Sequence, residues 1–393
     1  MVATAAQRRD PFALTEEQRQ IRDTVRAFAE AEIAPTAAER DEEERYDRAL
    51  FERAAELGLT GLPYPEEYGG AGLGSFEWAL ACEEIAAADM GMAVSLSVHI
   101  LAQLPILAFG SPAQKDRWLP RMAAGKLLGA FALTEPQAGS DASAIALRAE
   151  RSADGYLLTG TKVWTTNAGE AEVYVVFATV DRSAGRQGIT AFVLERDAPG
   201  FRFGAKERKM GIRGTTAREL VFEGAQVPED RRLGAEGEGL KVALSALGAG
   251  RISIAAACVG LARSALEHAA RYAVVRTQFG AAIADQQAIQ IMLADAATAV
   301  HAARLLTWHA AHLRDAGQPV NSASSMAKLF ASDTAMQVTT DAVQIYGGAG
   351  YSRDNPVERL MRDAKGAQIY EGTNQIHRLI IAQQLVEALR RSG

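Results

Sequence analysis

Tyr370-Glu371-Gly372-Thr373 sets one carboxylate beside a glycine in a turn between two helical stretches, an arrangement suited to a general base. A carboxylate takes a proton from a weakly acidic carbon only when it is held against that carbon. Gly372, with no Cβ, lets the backbone close on a ligand. The same pair is equally an ordinary solvated turn. Four further clusters fall where the chain changes direction. Phe131-Ala-Leu-Thr-Glu-Pro-Gln-Ala-Gly-Ser-Asp141 leaves a strand in a small polar turn whose hydroxyls and N–H groups suit an anion or a ring edge, or simply end the strand. Trp164-Thr165-Thr166-Asn167 puts an indole next to hydroxyls, which serves a core or stacks on a planar cofactor. Arg276-Thr-Gln-Phe-Gly280 combines a cation, an amide and an aromatic after a long helix, fit to bind a pyrophosphate or to cap that helix. Gln344-Ile-Tyr-Gly-Gly348 exposes backbone at what also reads as a helix terminus.

The elements that must position these clusters follow from periodicity. Thr15-Glu-Glu-Gln18 has capping-box spacing, and the apolar positions after it predict a helix to about Ile33. Further helices are expected over Asp47–Leu57, Ser75–Ala88 and Met92–Phe109, and from Ser111-Pro112 to near Gly125. At about Leu128 the pattern changes to short apolar runs: a hairpin of Ala146–Arg151 and Tyr156–Thr165 about Asp154-Gly155, then Val173–Val180, Ile189–Leu194 and Arg218–Phe222. None is followed by a crossover helix, which favours an antiparallel barrel or sandwich. From Leu240 the helical period returns, through Ala270, Asp285–Leu313, Ser322–Ile345 and Gln375–Leu389. The expected α+β architecture divides into a helical segment 1–128, a β segment 129–239 and a helical bundle 240–393.

Composition narrows the chemistry. The chain has 393 residues, 48% of them apolar, enough for a large core, and a net charge of −6 without a long basic run. That favours a small-molecule protein in the cytoplasm over one that binds nucleic acid or an anionic membrane. Met1–Asp10 reads as a short disordered tail rather than a signal peptide, and no later stretch is expected to span a membrane. Cys82 and Cys258, the two cysteines, sit in apolar helical patterns and read as buried thiols. His301, His309 and His312 are the clustered imidazoles, but the outer two are about 16 Å apart on a helix and no third ligand joins the inner pair, so no metal site is expected. The glycines at 69–74 lie between helices rather than after a strand, so a nicotinamide fingerprint is unsupported.

Taken in order, the motifs resemble those of the acyl-CoA dehydrogenases, flavoproteins that oxidise the Cα–Cβ bond of an acyl-CoA thioester. The resemblance runs through nearly the whole chain: Pro65-Glu-Glu-Tyr-Gly-Gly70, Thr134-Glu-Pro-x-Ala-Gly-Ser-Asp141, Trp164-x-Thr-Asn167, Arg276-x-Gln-Phe-Gly280, and Arg362-Asp-Ala-Lys365 leading to Tyr370-Glu-Gly-Thr373. It implies the family's fold, with an antiparallel middle β domain and a C-terminal four-helix bundle. It also implies FAD as cofactor, with Phe131, Leu133, Thr134, Trp164 and Thr166 along the flavin ring, Thr373 and Gln375 on the same cofactor, and Ser140 between flavin and substrate. Arg276, Gln278, Phe279, Gln287, Gln344 and Gly348 would reach the adenosine diphosphate part bound to a neighbouring subunit of a homotetramer, a dimer of dimers. Glu371 would remove the α-proton while a hydride leaves the β-carbon for flavin N5, with Gly372 and Arg251 also at the substrate.

Relatives that carry the base on the earlier helix do so one residue before Arg251, where this chain has Gly250. That argues against the isovaleryl and long-chain subgroups. Relatives for dicarboxylic acyl groups use an Arg at the far end of the acyl pocket, and Met92–Ser97 contains none. The resemblance therefore implies desaturation of a straight or lightly branched, short- to medium-chain acyl-CoA in fatty-acid or branched-chain amino-acid catabolism, with an electron-transfer flavoprotein as acceptor. Two alternatives stay open: an acyl-CoA oxidase or related flavin oxidase that passes electrons to oxygen, and a non-catalytic assembly protein of the same fold.

Overall fold

The computed structural model describes residues 12–392; the tail expected at Met1–Asp10 lies outside them. Six helices come first: α1 (Glu16–Phe28), α2 (Ala37–Glu42), α3 (Arg48–Glu56), α4 (Ser75–Ala88), α5 (Met90–Phe109) and α6 (Pro112–Ala123). The capping box read from sequence is present at Thr15/Gln18, and Ser111 caps α6 before Pro112 as expected, in a capping box with Gln114. Between α1 and α2 the chain continues as a π-helical turn, Ala29–Ile33, and passes Pro35 in a 3-10 turn. Asp89 caps α5 through the Gly91 N–H at 2.7 Å.

Eight strands form one sheet: β1 (Gly129–Ala132), β2 (Arg148–Ser152), β3 (Gly155–Thr166), β4 (Val173–Thr179), β5 (Ile189–Glu195), β6 (Phe201–Lys206), β7 (Ala217–Pro228) and β8 (Arg232–Leu233). Their order is β6-β7-β3-β2-β4-β5-β8, with β1 beside β4. The sheet is mixed rather than purely antiparallel, which corrects the sequence expectation. β1 runs parallel to β4 from the Gly129/Val173 pair to Ala132/Val176, and β2 touches β4 in parallel at Arg148/Thr179. A parallel neighbour needs a long connection, and here the β2–β3 hairpin and the Trp164–Asn167 segment supply it in place of a crossover helix. The hairpin turn falls at Ala153-Asp154, and Gly155 opens β3 with φ +146°, where a side chain would strike the Val227 carbonyl.

The remaining helices are α7 (Gly239–Val275), α8 (Gln287–Asp315), α9 (Asn321–Tyr346), α10 (Pro356–Ala367) and α11 (Asn374–Ser392), with a small hairpin, β9 (Thr277–Gln278) and β10 (Ala281–Ala282), after α7. α7 is the spine, packing on α4, α5, α8 and α9. At Gly260 the α4 and α7 backbones touch: a Cβ there would collide with the Glu83 carbonyl oxygen and lie 2.9 Å from its carbon. Around this crossing Glu83 pairs with Arg304 of α8 (2.8 Å) and Arg263 of α7 (3.3 Å), and Glu84 with Arg26 of α1 (2.9 Å) and Arg263 (2.6 Å). Asp315 at the end of α8 caps α4 through the N–H groups of Ser75 and Phe76, at 2.7 and 2.9 Å.

Contrary to the sequence expectation, α5, α7 and α8 are each long and apolar enough to cross a membrane. The apolar windows of α5 and α7 are 78% buried by the rest of the fold, so their hydropathy is that of core helices. The window of α8 is only 17% buried, and this helix lies on the outside of the bundle.

Candidate active site

Glu371 stands in the turn between α10 and α11 with a left-handed backbone, φ +53°, followed by Gly372 at φ +94°. A non-glycine residue in that region is strained, and such residues persist where the surroundings hold them. Trp164, Asn167 and Phe279, each in a motif singled out from sequence, share the feature with φ of 56°, 66° and 53°. The Glu371 side chain reaches α7 at Gly250. A Cβ on Gly250 would lie 3.0 Å from the Glu371 Cδ and closer still to Oε2, so this position must stay bare for the carboxylate to occupy it. Oε2 is shielded from solvent and accepts no hydrogen bond, and no acceptor among the described residues takes the Glu371 N–H.

Burial pushes the Glu371 carboxyl up to about 7, against the opposing pull of the Lys328 and Arg251 cations. Arg251 is buried rather than a surface cation; its Nη1 donates to Asn321 Oδ1 (2.6 Å) and Ser325 Oγ (3.2 Å) of α9. Lys328, fully buried on α9, donates to the Gly372 carbonyl at 2.7 Å and to Asn374 Oδ1 at 3.0 Å. Sequence reading did not single out Lys328, because a lysine on a long helix is ordinarily solvated. His377 lies under the turn, within 3.3 Å of where a Gly372 Cβ would be; burial drives its imidazole down to about 3, so the ring is neutral. On the α4 side stand Cys82, whose Sγ lies 3.5 Å from Ser97 Oγ, and Trp78, whose Nε1 donates to Ser253 Oγ at 2.8 Å. Burial raises the Cys82 and Cys258 thiols to about 12, which keeps them protonated and unreactive.

The second group of predicted residues gathers where β1 and β3 end. The Val163 N–H donates to the Thr134 carbonyl at 2.9 Å, which places Leu133 and Thr134 beside Trp164. Phe131, Leu133, Thr134 and Thr166 are partly open, Ser140 is exposed, and Trp164 is 58% exposed with its indole uncovered. The support beneath them is the Lys162–Glu135 ion pair at 2.7 Å, with side chains 0% and 2% exposed. Lys162 also donates to the Leu133 carbonyl (2.9 Å), and Glu135 accepts from the N–H groups of Ala146 (2.6 Å) and Leu147 (3.0 Å). Asn167 joins three elements: it accepts from Ser95 Oγ of α5 (2.8 Å) and donates to the Ser95 and Gly129 carbonyls (3.0 and 3.1 Å). The hydroxyls of Thr165 and Thr216 are buried without a partner. An open indole beside hydroxyls and strand-end backbone fits a planar ring with polar edges. Thr373 and Gln375 lie after Glu371, Thr373 partly open and Gln375 exposed, with Thr373 Oγ1 accepting from the Ile376 N–H at 3.3 Å.

The third group lies at the other end of the bundle. Arg276, Gln278, Phe279, Gln287, Gln344 and Gly348 are all exposed, and Phe279 is 96% exposed. Tyr272 stacks on Tyr346 at 4.0 Å and joins the α7 and α9 ends that carry them. Arg251 and Arg276 are 25 residues apart along α7, roughly 37 Å at the helical rise. The structure therefore does not bring this group to Glu371 within one chain. His312 is stacked on Phe76 at 4.2 Å, and no cluster of metal-ligating side chains occurs among the described residues.

Three family models match the chain: "Acyl-CoA dehydrogenase, N-terminal domain" over residues 15–126, "middle domain" over 130–225 and "C-terminal domain" over 237–386. An acyl-CoA dehydrogenase of Bacillus subtilis (strain 168) is 48% identical over 374 residues, covering 95% of this chain and 99% of that one. The structure of butyryl-CoA dehydrogenase from Megasphaera elsdenii superposes with a TM-score of 0.94 at 44% identity, covering 95% of this chain and 99% of the other. A chain in a structure named for the electron transferring flavoprotein of Acidaminococcus fermentans superposes with a TM-score of 0.94 at 49% identity and the same coverage.

Proposed function

The chain belongs to the acyl-CoA dehydrogenase family, and within it we propose that this oxidoreductase desaturates a short- to medium-chain acyl-CoA with Glu371 as the α-proton base. Its cofactor is FAD, which when bound accepts the hydride that leaves the β-carbon. The observation that carries the reading is the Glu371 carboxylate itself: shielded, unpartnered at Oε2 and raised to about 7. A base with that proton affinity is poised near neutral pH to take an acidified α-proton. The Glu371 N–H, which no acceptor among the described residues takes, would serve a thioester carbonyl, where it would oppose the charge that develops on oxygen. Arg251 and Lys328 favour the ionised form of the base before reaction.

The support for a short acyl chain is that the Megasphaera elsdenii structural neighbour is named a butyryl-CoA dehydrogenase. Phe131, Leu133, Thr134, Trp164, Thr166, Thr373 and Gln375 would hold the flavin ring, and Ser140 would lie toward the substrate. Arg276, Gln278, Phe279, Gln287, Gln344 and Gly348 serve the adenosine diphosphate end on a second copy of the chain. A homotetramer is part of this reading, as is a soluble, cytoplasmic location. An electron-transfer flavoprotein is the proposed acceptor, and the support is that a structure named for one contains a chain so like this one.

Anaerobic titration of the purified protein with acyl-CoA thioesters of increasing length tests the reading. Bleaching of the flavin by butyryl-CoA and its near homologues is expected. No bleaching by any length overturns it, and rapid recolouring in air with peroxide release would make the protein an oxidase.

A further inference from the structure

Lys328 is a buried cation whose two hydrogen-bond acceptors, the Gly372 carbonyl and Asn374 Oδ1, are both neutral. Desolvating an ammonium without a bonded carboxylate is costly, and burial brings its pKa down to about 8 despite the opposing influence of the Glu371 and Asp333 carboxylates. Such a group is retained in a core only if something there uses its charge or its donors. Asn374 is itself fixed to α9, donating to Ser332 Oγ (2.9 Å) and Asp333 Oδ1 (2.7 Å), and Gln368 at the other end of the turn donates to Asp333 Oδ1 at 2.7 Å. The segment carrying Glu371 is thereby stapled to α9 on both sides. The charged and titratable groups facing Lys328 are Arg251 and Cys258 from α7, Asp333 from its own helix, Glu371 from the turn, and His377 from α11, whose imidazole burial keeps neutral.

We propose that Lys328 is the positioning residue of the base: it ties the turn to α9 through the Gly372 carbonyl and Asn374, and its ammonium, alongside the Arg251 guanidinium, is a buried positive charge against which the Glu371 carboxylate ionises. This rests on Glu371 being the base. A residue with only a structural role would lower the rate equally at every pH when replaced. A charge facing the base instead moves the pH at which the base ionises.

The test follows flavin bleaching by butyryl-CoA against pH in the FAD-bound wild type and in Lys328→Met and Lys328→Arg. Titration of the Glu371 carboxyl in the resting proteins, by infrared difference against Glu371→Gln, gives a readout free of turnover. Lys328→Met is expected to displace both midpoints upward by roughly one pH unit or more, with about a tenfold loss of rate below the midpoint for each unit and recovery toward alkaline pH. Lys328→Arg is expected to restore the wild-type midpoint. If Lys328→Met loses its FAD, Lys328→Gln, which keeps a donor for the Gly372 carbonyl, takes its place with the same expected shift. Unchanged midpoints in a folded, FAD-bound Met or Gln variant overturn the inference, as does a displacement in Lys328→Arg equal to that of the neutral variants. A wild type that no acyl-CoA bleaches would instead overturn the assignment of Glu371.

Discussion

At the scale of single residues, the site turns on how Gly250 and Glu371 share one space. Replacing Gly250 by Ala removes a glycine from a helix interior, which favours the fold by about 1 kcal/mol, yet its methyl group would occupy the volume of Oε2. Gly250→Ala is therefore expected to melt at or above the wild-type temperature while flavin reduction slows by roughly 10- to 100-fold through misplacement of the base. A destabilised variant with normal reduction would show that the contact is slack. Glu371→Gln is expected to keep FAD and lose flavin reduction by roughly 100- to 10,000-fold, the usual contribution of a general base. The sign of its effect on stability follows from the raised carboxyl. The native state holds its proton to about pH 7 and the unfolded chain only to about 4.5, so stability is fully present below 4.5 and is lost as pH rises toward 7. The Gln variant is thus expected to gain on the wild type in melting temperature between pH 5 and pH 8, and scanning calorimetry across that range reads it directly. The carboxylate was legible because it sits in a motif with an order, and its bare neighbour on α7 through the family resemblance. Lys328 was not, because nothing in Ser325-Met-Ala-Lys328 distinguishes a buried ammonium from a solvated one until α9 is packed under the turn.

Elements hold these residues through contacts that local patterns do not reveal. The long helices were read within a few residues, since their apolar periodicity and caps are local signals. β6 was missed because Phe201–Lys206 alternates weakly and contains a glycine, and α10 because its charged stretch carries few apolar positions. The parallel pairing of β1 with β4 depends on residues more than 40 positions apart, so no window could show it. The Lys162–Glu135 pair beneath the strand ends depends equally on that assembly. Removing one partner leaves an uncompensated buried charge, so Lys162→Met is expected to cost about 3–5 kcal/mol and to release FAD as the Leu133–Thr134 segment loosens. The double variant Lys162→Met with Glu135→Leu is expected to recover part of the stability but not the FAD affinity, because the N–H groups of Ala146 and Leu147 lose their acceptor. Chemical denaturation alongside flavin fluorescence separates the two effects.

For the whole molecule, the proposed cofactor residues would make a single chain half of two sites. Arg251 lies within α7 and Arg276 caps its C-terminus, roughly 37 Å further along the helix, so the residues proposed for the adenosine diphosphate end do not reach the Glu371 of their own chain. Exposed apolar side chains are close to them along the chain: Phe279 on the small hairpin, Val274 and Val275 before it, and Ile291 on α8. Where exposed side chains of this kind gather into one patch, they mark an interaction surface. If a second copy covers it, cofactor affinity and assembly must be linked, since FAD would bind only where two chains meet. Phe279→Ala touches no packing within its own chain and is expected to leave the fold unchanged, while FAD affinity falls by roughly 10- to 100-fold, equivalent to about 1.4–2.7 kcal/mol. Sedimentation at several protein concentrations with flavin absorbance followed in the same cell measures both quantities. Loss of flavin in step with dissociation of the assembly supports the shared site. A flavin-loaded monomer, or a Phe279→Ala protein with wild-type affinity, would assign both ends of the cofactor to one chain and leave the exposed apolar surface to some other contact.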